Sequence, residues 1–354
     1  MTGLAAASHD TDARRGRWVR ARNGRTGSPD AGQQEHGGRT GTPGKRVAES
    51  PGTGPQGTRE GAEKGVEPVG IERVGVVGCG LMGSGIAEVS ARAGLHVVVV
   101  EQDAEALATG KARVERSLER AVRAGKLSAD AAASATSRID FQLDLHALAD
   151  RELVIEAIVE AEEPKVEVFA ALDKVVVAED AILASNTSSI PIMKLAMATE
   201  RPSSVIGLHF FNPVPVLRLV ELVSSLLTSP ETATRAEAFA TGTLEKRVVR
   251  SKDRAGFIVN ALLVPYLLSA IRMLESGFAT AEDIDAGMVE GCAHPMGPLA
   301  LTDLIGLDTT LAVAESLYAE FKEPLYAPPP LLSRMCEAGL LGRKSGRGFY
   351  DYRR

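Results

Sequence analysis

Apolar residues along this chain recur with two different periods, and the change of period divides it into regions. Residues 74–77 form a β-branched run too short for a helix and read as a strand. Residues 81–93 then place Met82, Ile86 and Val89 at helical spacing and stop at Gly94, before a second apolar strand over residues 95–100. A longer helical pattern covers residues 104–124, breaks at Gly125 and resumes to residue 137 from Ser128, a good N-cap. Strands are expected over residues 153–159, 181–184, 205–208 and 217–223, with a helix over 164–172. Beyond Gly256 the strand signal ends, and residues 257–276, 281–290, 298–322 and 330–338 read as helices. Asn260, Pro265 and Arg272 mark the most apolar of these as a buried helix at a domain or subunit contact, not a membrane span.

The first strand, helix and strand surround Val74-Gly-Val-Val-Gly78-Cys-Gly80-Leu-Met-Gly83. Gly78 permits the tight turn, Gly80 lets backbone approach a pyrophosphate, and Gly83 allows close helix–strand packing. The N–H groups at the helix start, at Leu81 and Met82, then face the phosphates. Glu101 falls at the carboxyl end of the second strand, 18 residues beyond Gly83. An acid there accepts hydrogen bonds from the adenosine ribose and repels a 2′-phosphate. The expected cofactor is therefore NAD in preference to NADP, although a nearby cation can restore phosphate binding. Glycine-rich turns are common; the strand, helix and spaced acid give this one its meaning.

The pattern as a whole predicts an α/β protein. A Rossmann-like dinucleotide-binding domain spans residues 71–252, with the hairpin at 104–137 inserted, and an all-α C-terminal domain spans 253–354. Residues 1–70 differ: they hold 15 of the 35 glycines, 11 Arg or Lys and eight Asp or Glu, with no apolar run. They read as a disordered low-complexity tail, either simply solvated or the product of an upstream start codon. Their arginines invite comparison with a mitochondrial presequence, but the acids and the lack of an amphipathic helix argue against it. With no secretory signal and no apolar run near the ~20 residues that cross a bilayer, a soluble cytoplasmic protein is expected.

Removing the tail's net +3 from the chain's −6 leaves −9 on the body, so neither nucleic acid nor membrane is an expected partner. Cys79, Cys292 and Cys336 have no metal-ligand spacing and no disulfide framework, so they read as free thiols, and no metal is expected.

In an open α/β sheet, ligands sit beyond the carboxyl ends of the strands. Two polar clusters fall there: Ser185-Asn-Thr-Ser-Ser189 and His209-Phe-Phe-Asn-Pro213. Histidine has an ordinary pKa of about 6.5, close to working pH, which makes His209 the acid/base candidate. Glu221, an acid within an apolar strand, is its candidate orienting partner, although alternation alone also allows an exposed face. His9, His36, His96, His146 and His294 read as structural.

Six motifs occur in order: Gly78-Cys-Gly-Leu-Met-Gly83, Ser185-Asn-Thr-Ser-Ser189, Gly207-Leu-His-Phe-Phe-Asn-Pro-Val-Pro215, Gly256-Phe-Ile-Val-Asn260, His294-Pro-Met-Gly-Pro298 and Gly348-Phe-Tyr350. In them the chain resembles the 3-hydroxyacyl-CoA dehydrogenases, most closely the short bacterial 3-hydroxybutyryl-CoA dehydrogenases, over residues 70–354. The resemblance implies that His209 is the catalytic base with Glu221 its partner, and that Ser188 and Asn260 hold the substrate's 3-oxygen. It also implies that Glu101, Glu160, Lys165 and Lys344 touch the dinucleotide. Ser117 matches a CoA contact, with Lys126 as a candidate for a CoA phosphate. An acyl-CoA substrate and a homodimer through the C-terminal helices follow from the same resemblance. An acyl carrier protein as the acyl donor and a crystallin-like noncatalytic NAD-binding protein are the alternatives. Arg254-Ala255 and Ala261 depart from the family pattern, and Glu160-Ala-Glu-Glu-Pro-Lys165 is unusually acidic.

Overall fold

A computed structural model describes residues 70–353. The expectations for the N-terminal tail, with His9 and His36, lie outside the described residues.

The chain runs β1 (Arg73–Val77), α1 (Leu81–Arg92), β2 (His96–Val100), α2 (Ala104–Arg123), α3 (Ala129–Ser137), β3 (Ile139–Gln142), β4 (Leu153–Glu156) and α4 (Glu162–Val175). It continues with β5 (Ile182–Ser185), α5 (Ile192–Ala196), β6 (Val205–Phe210), β7 (Leu219–Ser224), α6 (Pro230–Ala238) and β8 (Arg247–Lys252). These strands form one sheet in the order β3-β2-β1-β4-β5-β6-β7-β8. Every neighbouring pair is parallel except β6 and β7. After Lys252 the elements are helical: α7 (Val259–Glu275), α8 (Ala281–Cys292), α9 (Pro298–Ile305), α10 (Leu307–Phe321) and α11 (Pro330–Glu337).

The inner strands read as continuous apolar runs because both sheet faces are covered. Val74, Val76, Leu153 and Ile155 pack with α1, α2, α3 and α6 on one face, and Val77, Val154 and Leu183 pack with α4 and α5 on the other. A third core joins α7 to α11. There the Asp285 carboxylate accepts from the N–H groups of Leu299 and Ala300 and from the Tyr350 hydroxyl. Asp303 accepts from the N–H groups of Phe349 and Tyr350 and from the Tyr352 hydroxyl. The two C-terminal motifs are thus locked together by two carboxylates. Among the described residues no helix is long and apolar enough to cross a membrane.

Several expected boundaries move. The run expected over 298–322 as one helix breaks at Gly306, whose φ of +104° ends α9 before α10 begins. The strand expected to reach residue 159 ends at Glu156, because the Glu156 carboxylate accepts from the Ile158 N–H (2.7 Å) and turns the chain. Helix α4 starts at Glu162, two residues before Pro164. Strands β3 and β8, and helices α5 and α6, were not foreseen.

Gly83 shows how tightly the dinucleotide turn is built: a Cβ there would lie 1.9 Å from the Gly78 carbonyl oxygen. Backbone cannot yield as a side-chain tip would. Gly83→Ala should therefore lower stability by about 2–3 kcal/mol and weaken NADH binding, as read by urea unfolding and fluorescence titration. An unchanged unfolding midpoint would contradict this packing.

Candidate active site

At the carboxyl end of β1 the chain turns through Gly78, whose φ is +92° and whose N–H bonds the Val100 carbonyl (2.8 Å). A Cβ on Gly80 would meet nothing within 4 Å, so the turn is open on that side. Helix α1 begins there with no side-chain cap and no acid in its first turn. Its first inward bond runs from Ser84 N–H to the Gly80 carbonyl, leaving the N–H groups of Leu81, Met82 and Gly83 without helical partners. An uncapped helix start beside a glycine opening fits a pyrophosphate. Glu101 is fixed beside it, accepting from Cys79 N–H (2.5 Å) and Gln102 N–H (3.1 Å). This is where the ribose hydroxyls of a dinucleotide need an acceptor. Arg113 of α2 donates to the Cys79 carbonyl (2.9 Å) and ties the helical hairpin to the same turn. Burial, with the Glu101 charge, pushes the Cys79 thiol up to about 12, so it stays protonated and inert.

The acid/base pair comes from the sheet's antiparallel step. His209 on β6 lies directly opposite Glu221 on β7, which puts the two side chains on one face. His209 Nδ1 lies 2.7 Å from Glu221 Oε2, and Glu221 is 0% exposed, which removes the exposed-face alternative. A carboxylate only accepts, so Nδ1 carries the proton and Nε2 presents its lone pair outward. Phe211 and Phe257 flank the imidazole, with ring centroids at 4.5 and 5.5 Å. The second Glu221 oxygen accepts from Ile258 N–H (3.0 Å) and Val259 N–H (2.9 Å) at the start of α7. Asn260, in the first turn of α7, is carried to the site by that cap.

The serine loop after β5 is held from below. One oxygen of Glu160, Oε1, accepts from the Thr187 hydroxyl (2.6 Å), Ser188 N–H (2.7 Å) and hydroxyl (3.2 Å), and Ser189 N–H and hydroxyl (both 3.2 Å). Asn186 Oδ1 accepts from Phe210 N–H (2.9 Å), joining this loop to the residue after His209. Ser316 of α10 donates to the Ser189 carbonyl (3.0 Å) from the helical side. Much of the acidic segment now has an account: Glu160 organises the loop, Glu162 pairs with Lys194 (2.6 Å), and Lys165 is buried against Glu156 and Glu160.

Not every expected residue joins this constellation. Lys344 lies just before the Gly348-Phe-Tyr350 motif, 2.5 Å from the Asp308 carboxylate, at the far end of α10 from Ser316. Ser117 is half-buried on α2, and Lys126 is exposed beyond its end. The interdomain departure is explained in part. Arg254 stacks on Phe321 of α10, its guanidinium 4.7 Å from the ring centroid, and Ala255 N–H donates to Glu320 (2.9 Å). Nothing in the structure explains Ala261. Glu156 was passed over in the sequence, although an acid ending the apolar strand Leu-Val-Ile-Glu156 carries the same signal as Glu221.

Partial burial raises the Glu160 carboxyl pKa, but the Lys165 charge and hydrogen bonds from Thr187 and Ser188 outweigh it and hold it below its ordinary 4.5. A lowered folded value adds stability above the unfolded value and loses it as pH falls through the folded one. The stability gap between wild type and Glu160→Gln should therefore be widest near pH 7, at roughly 1–3 kcal/mol, and close as pH drops below about 4.5. Denaturant unfolding at stepped pH measures it, and a gap that widens in acid would contradict the assignment.

Comparison with known proteins matches this geometry to one family. The model for the NAD binding domain of 3-hydroxyacyl-CoA dehydrogenase matches residues 73–254, and that for its C-terminal domain matches residues 256–352. A 3-hydroxybutyryl-CoA dehydrogenase from Mycobacterium tuberculosis (strain ATCC 25618 / H37Rv) is 63% identical over 269 residues, covering 76% of this chain and 94% of that protein. The crystal structure of M. tuberculosis FadB2 aligns with a TM-score of 0.80 at 61% identity, covering 80% of this chain and 100% of that one. The (S)-3-hydroxybutyryl-CoA dehydrogenase PaaH1 from Ralstonia eutropha aligns with a TM-score of 0.76 at 47% identity, again covering 80% and 100%. This chain belongs to the 3-hydroxyacyl-CoA dehydrogenase family.

Proposed function

We propose that this chain interconverts (3S)-3-hydroxybutyryl-CoA, or a similarly short 3-hydroxyacyl-CoA, and the corresponding 3-oxoacyl-CoA with NAD as cofactor. The observation that carries the reading is the buried His209–Glu221 pair, set in register beside the serine loop on the carboxyl edge of a dinucleotide-binding sheet.

Nε2 of His209 takes the proton of the 3-hydroxyl. The O–H electron pair becomes the new C=O bond as the hydrogen on C3 departs with its two electrons. Bound NAD supplies the acceptor for that hydride. Glu221 holds Nδ1–H and stabilises the imidazolium that forms. Asn260 donates to the 3-oxygen, where charge builds in either direction, and the Ser188 hydroxyl does so by rotating from its long 3.2 Å bond to Glu160 while its N–H keeps the loop in place. In reduction, protonated His209 returns its proton to that oxygen. Glu101 accepts from the adenosine ribose, and Glu160 borders the dinucleotide beside the serine loop, whereas Lys344, paired with Asp308, stands apart from them. Ser117 and Lys126 lie along the hairpin as contacts for the CoA arm, whose binding energy is gained far from the reacting carbon.

A dinucleotide domain that ends near Lys252 is supported by the end of β8 at that residue and by the junction of the two family models at residues 254–256. Exposed apolar side chains on the helical half, including Leu262, Phe278 and Leu304, support a homodimer through these helices. Three free cysteines among the described residues support a reducing, cytoplasmic setting.

Purified protein should oxidise NADH with acetoacetyl-CoA and discriminate against NADPH; preference for NADPH would overturn the role given to Glu101. The same acyl group on an acyl carrier protein should turn over more slowly than on CoA, and equal or faster turnover would transfer the assignment to the protein carrier. His209→Gln should lower kcat by about 10²–10⁴-fold while leaving NADH affinity within twofold. Retained turnover would remove His209 as the base.

A further inference from the structure

A buried ion cluster underlies the serine loop. Glu156 ends β4, in register with Val77 of β1 on one side and Ser185 of β5 on the other. It is 0% exposed, and its carboxylate accepts from Lys165 Nζ (2.5 Å), the Ser185 hydroxyl (2.6 Å) and Ile158 N–H (2.7 Å). Lys165 is 1% exposed, and its ammonium also lies 3.3 Å from Glu160 Oε2. The opposite oxygen of Glu160 gathers the donors of Thr187, Ser188 and Ser189. Contacts therefore run unbroken from Glu156 through Lys165 and Glu160 to the Ser188 hydroxyl.

Stability alone gives little reason for such a cluster. Burying ions costs several kcal/mol each before pairing, and well-packed apolar replacements for buried pairs are often neutral or stabilising. An apolar set would be unable to hold Glu160. With its side chain 32% exposed, that carboxylate has water within reach, and the Lys165 charge is what draws it inward under the loop. The ammonium in turn sits between two carboxylates, enclosed and already engaged.

We infer that Glu156 and Lys165 are positioning residues: acting through Glu160, they set the serine loop so that the Ser188 hydroxyl meets the substrate's 3-oxygen. This rests on the reading of Ser188 given above. It also assigns the buried lysine, enclosed between two carboxylates, this task in place of direct contact with the dinucleotide.

Glu156→Gln keeps the shape and an acceptor for Ile158 N–H, with its amide NH₂ turned to the Ser185 hydroxyl, which can accept, but removes the charge that holds Lys165. With acetoacetyl-CoA and saturating NADH, kcat should fall about tenfold or more, because misplacement of a substrate-orienting group by ~1 Å costs up to about 10²-fold. The NADH Kd, measured by fluorescence titration without substrate, should rise far less than kcat falls, because Glu160 is one dinucleotide contact beside the glycine turn and Glu101. The double variant Glu156→Gln/Lys165→Met removes both charges, so no unpaired ion is left at either position, and should show the same split. A lowered Tm with wild-type kcat would reduce the cluster to a structural role and overturn the inference. So would a raised NADH Kd with wild-type kcat at saturation, which is the signature of a dinucleotide contact only. Wild-type protein that binds NADH yet shows no turnover would overturn the functional reading, and this inference with it.

Discussion

The Glu221 carboxylate accepts three hydrogen bonds, one from the His209 imidazole on β6 and two from backbone N–H groups at the start of α7. It is buried in the sheet, where an unsatisfied ion would be costly, and the three donors remove that cost. A single group therefore fixes the tautomer of the proposed base and joins the helical half to the sheet. The same bonds set the distance between His209 and the turn carrying Asn260. Moving either half relative to the other would strain or break one of them.

The pattern recurs along the carboxyl edge of the sheet. Glu101 is tied to the glycine turn, Glu156 to Lys165 and Ser185, and Glu160 to the serine loop. Beyond β8, which runs opposite to β1–β6, Asp253 does the same for another loop, accepting from Ile192 and Met193 N–H groups at the start of α5. Each acid gathers N–H or O–H donors from loops that would otherwise be free to wander, and such charge-assisted bonds are stronger than neutral ones. Strand ends made rigid in this way suit a reaction that needs a base, a 3-oxygen and a hydride acceptor held within bonding reach of one another.

Much of this was legible in the sequence, for physical reasons that also mark where legibility stops. Inner strands buried on both faces announce themselves as apolar runs, and β1 with its glycines and Glu101 could be placed from spacing alone. The strands that escaped notice, Ile-Asp-Phe-Gln of β3 and Arg-Val-Val-Arg-Ser-Lys of β8, lie at the two edges of the sheet. Edge strands carry charges and need no continuous apolar face. His209 stood out by residue type and position, but its pairing with Glu221 depends on β7 running antiparallel to β6, which the alternation of residues does not reveal. The double use of Glu221 as helix cap depends on tertiary approach across 37 residues. Lys344 shows the same limit from the other side, since the neighbouring Gly348-Phe-Tyr350 motif was plain while the place of Lys344 beside Asp308 was not.

The central claim is that Glu221 keeps His209 ready to accept a proton at Nε2, and the most direct test is Glu221→Gln in a single turnover of 3-hydroxybutyryl-CoA with NAD. The amide oxygen can keep the α7 cap, which turns the amide NH₂ toward Nδ1. Nδ1 must then accept, so the proton moves to Nε2 and blocks it. The account predicts that NADH formation slows by at least about 10²-fold while NADH affinity and the unfolding midpoint change little. A variant that forms NADH at the wild-type rate would contradict it.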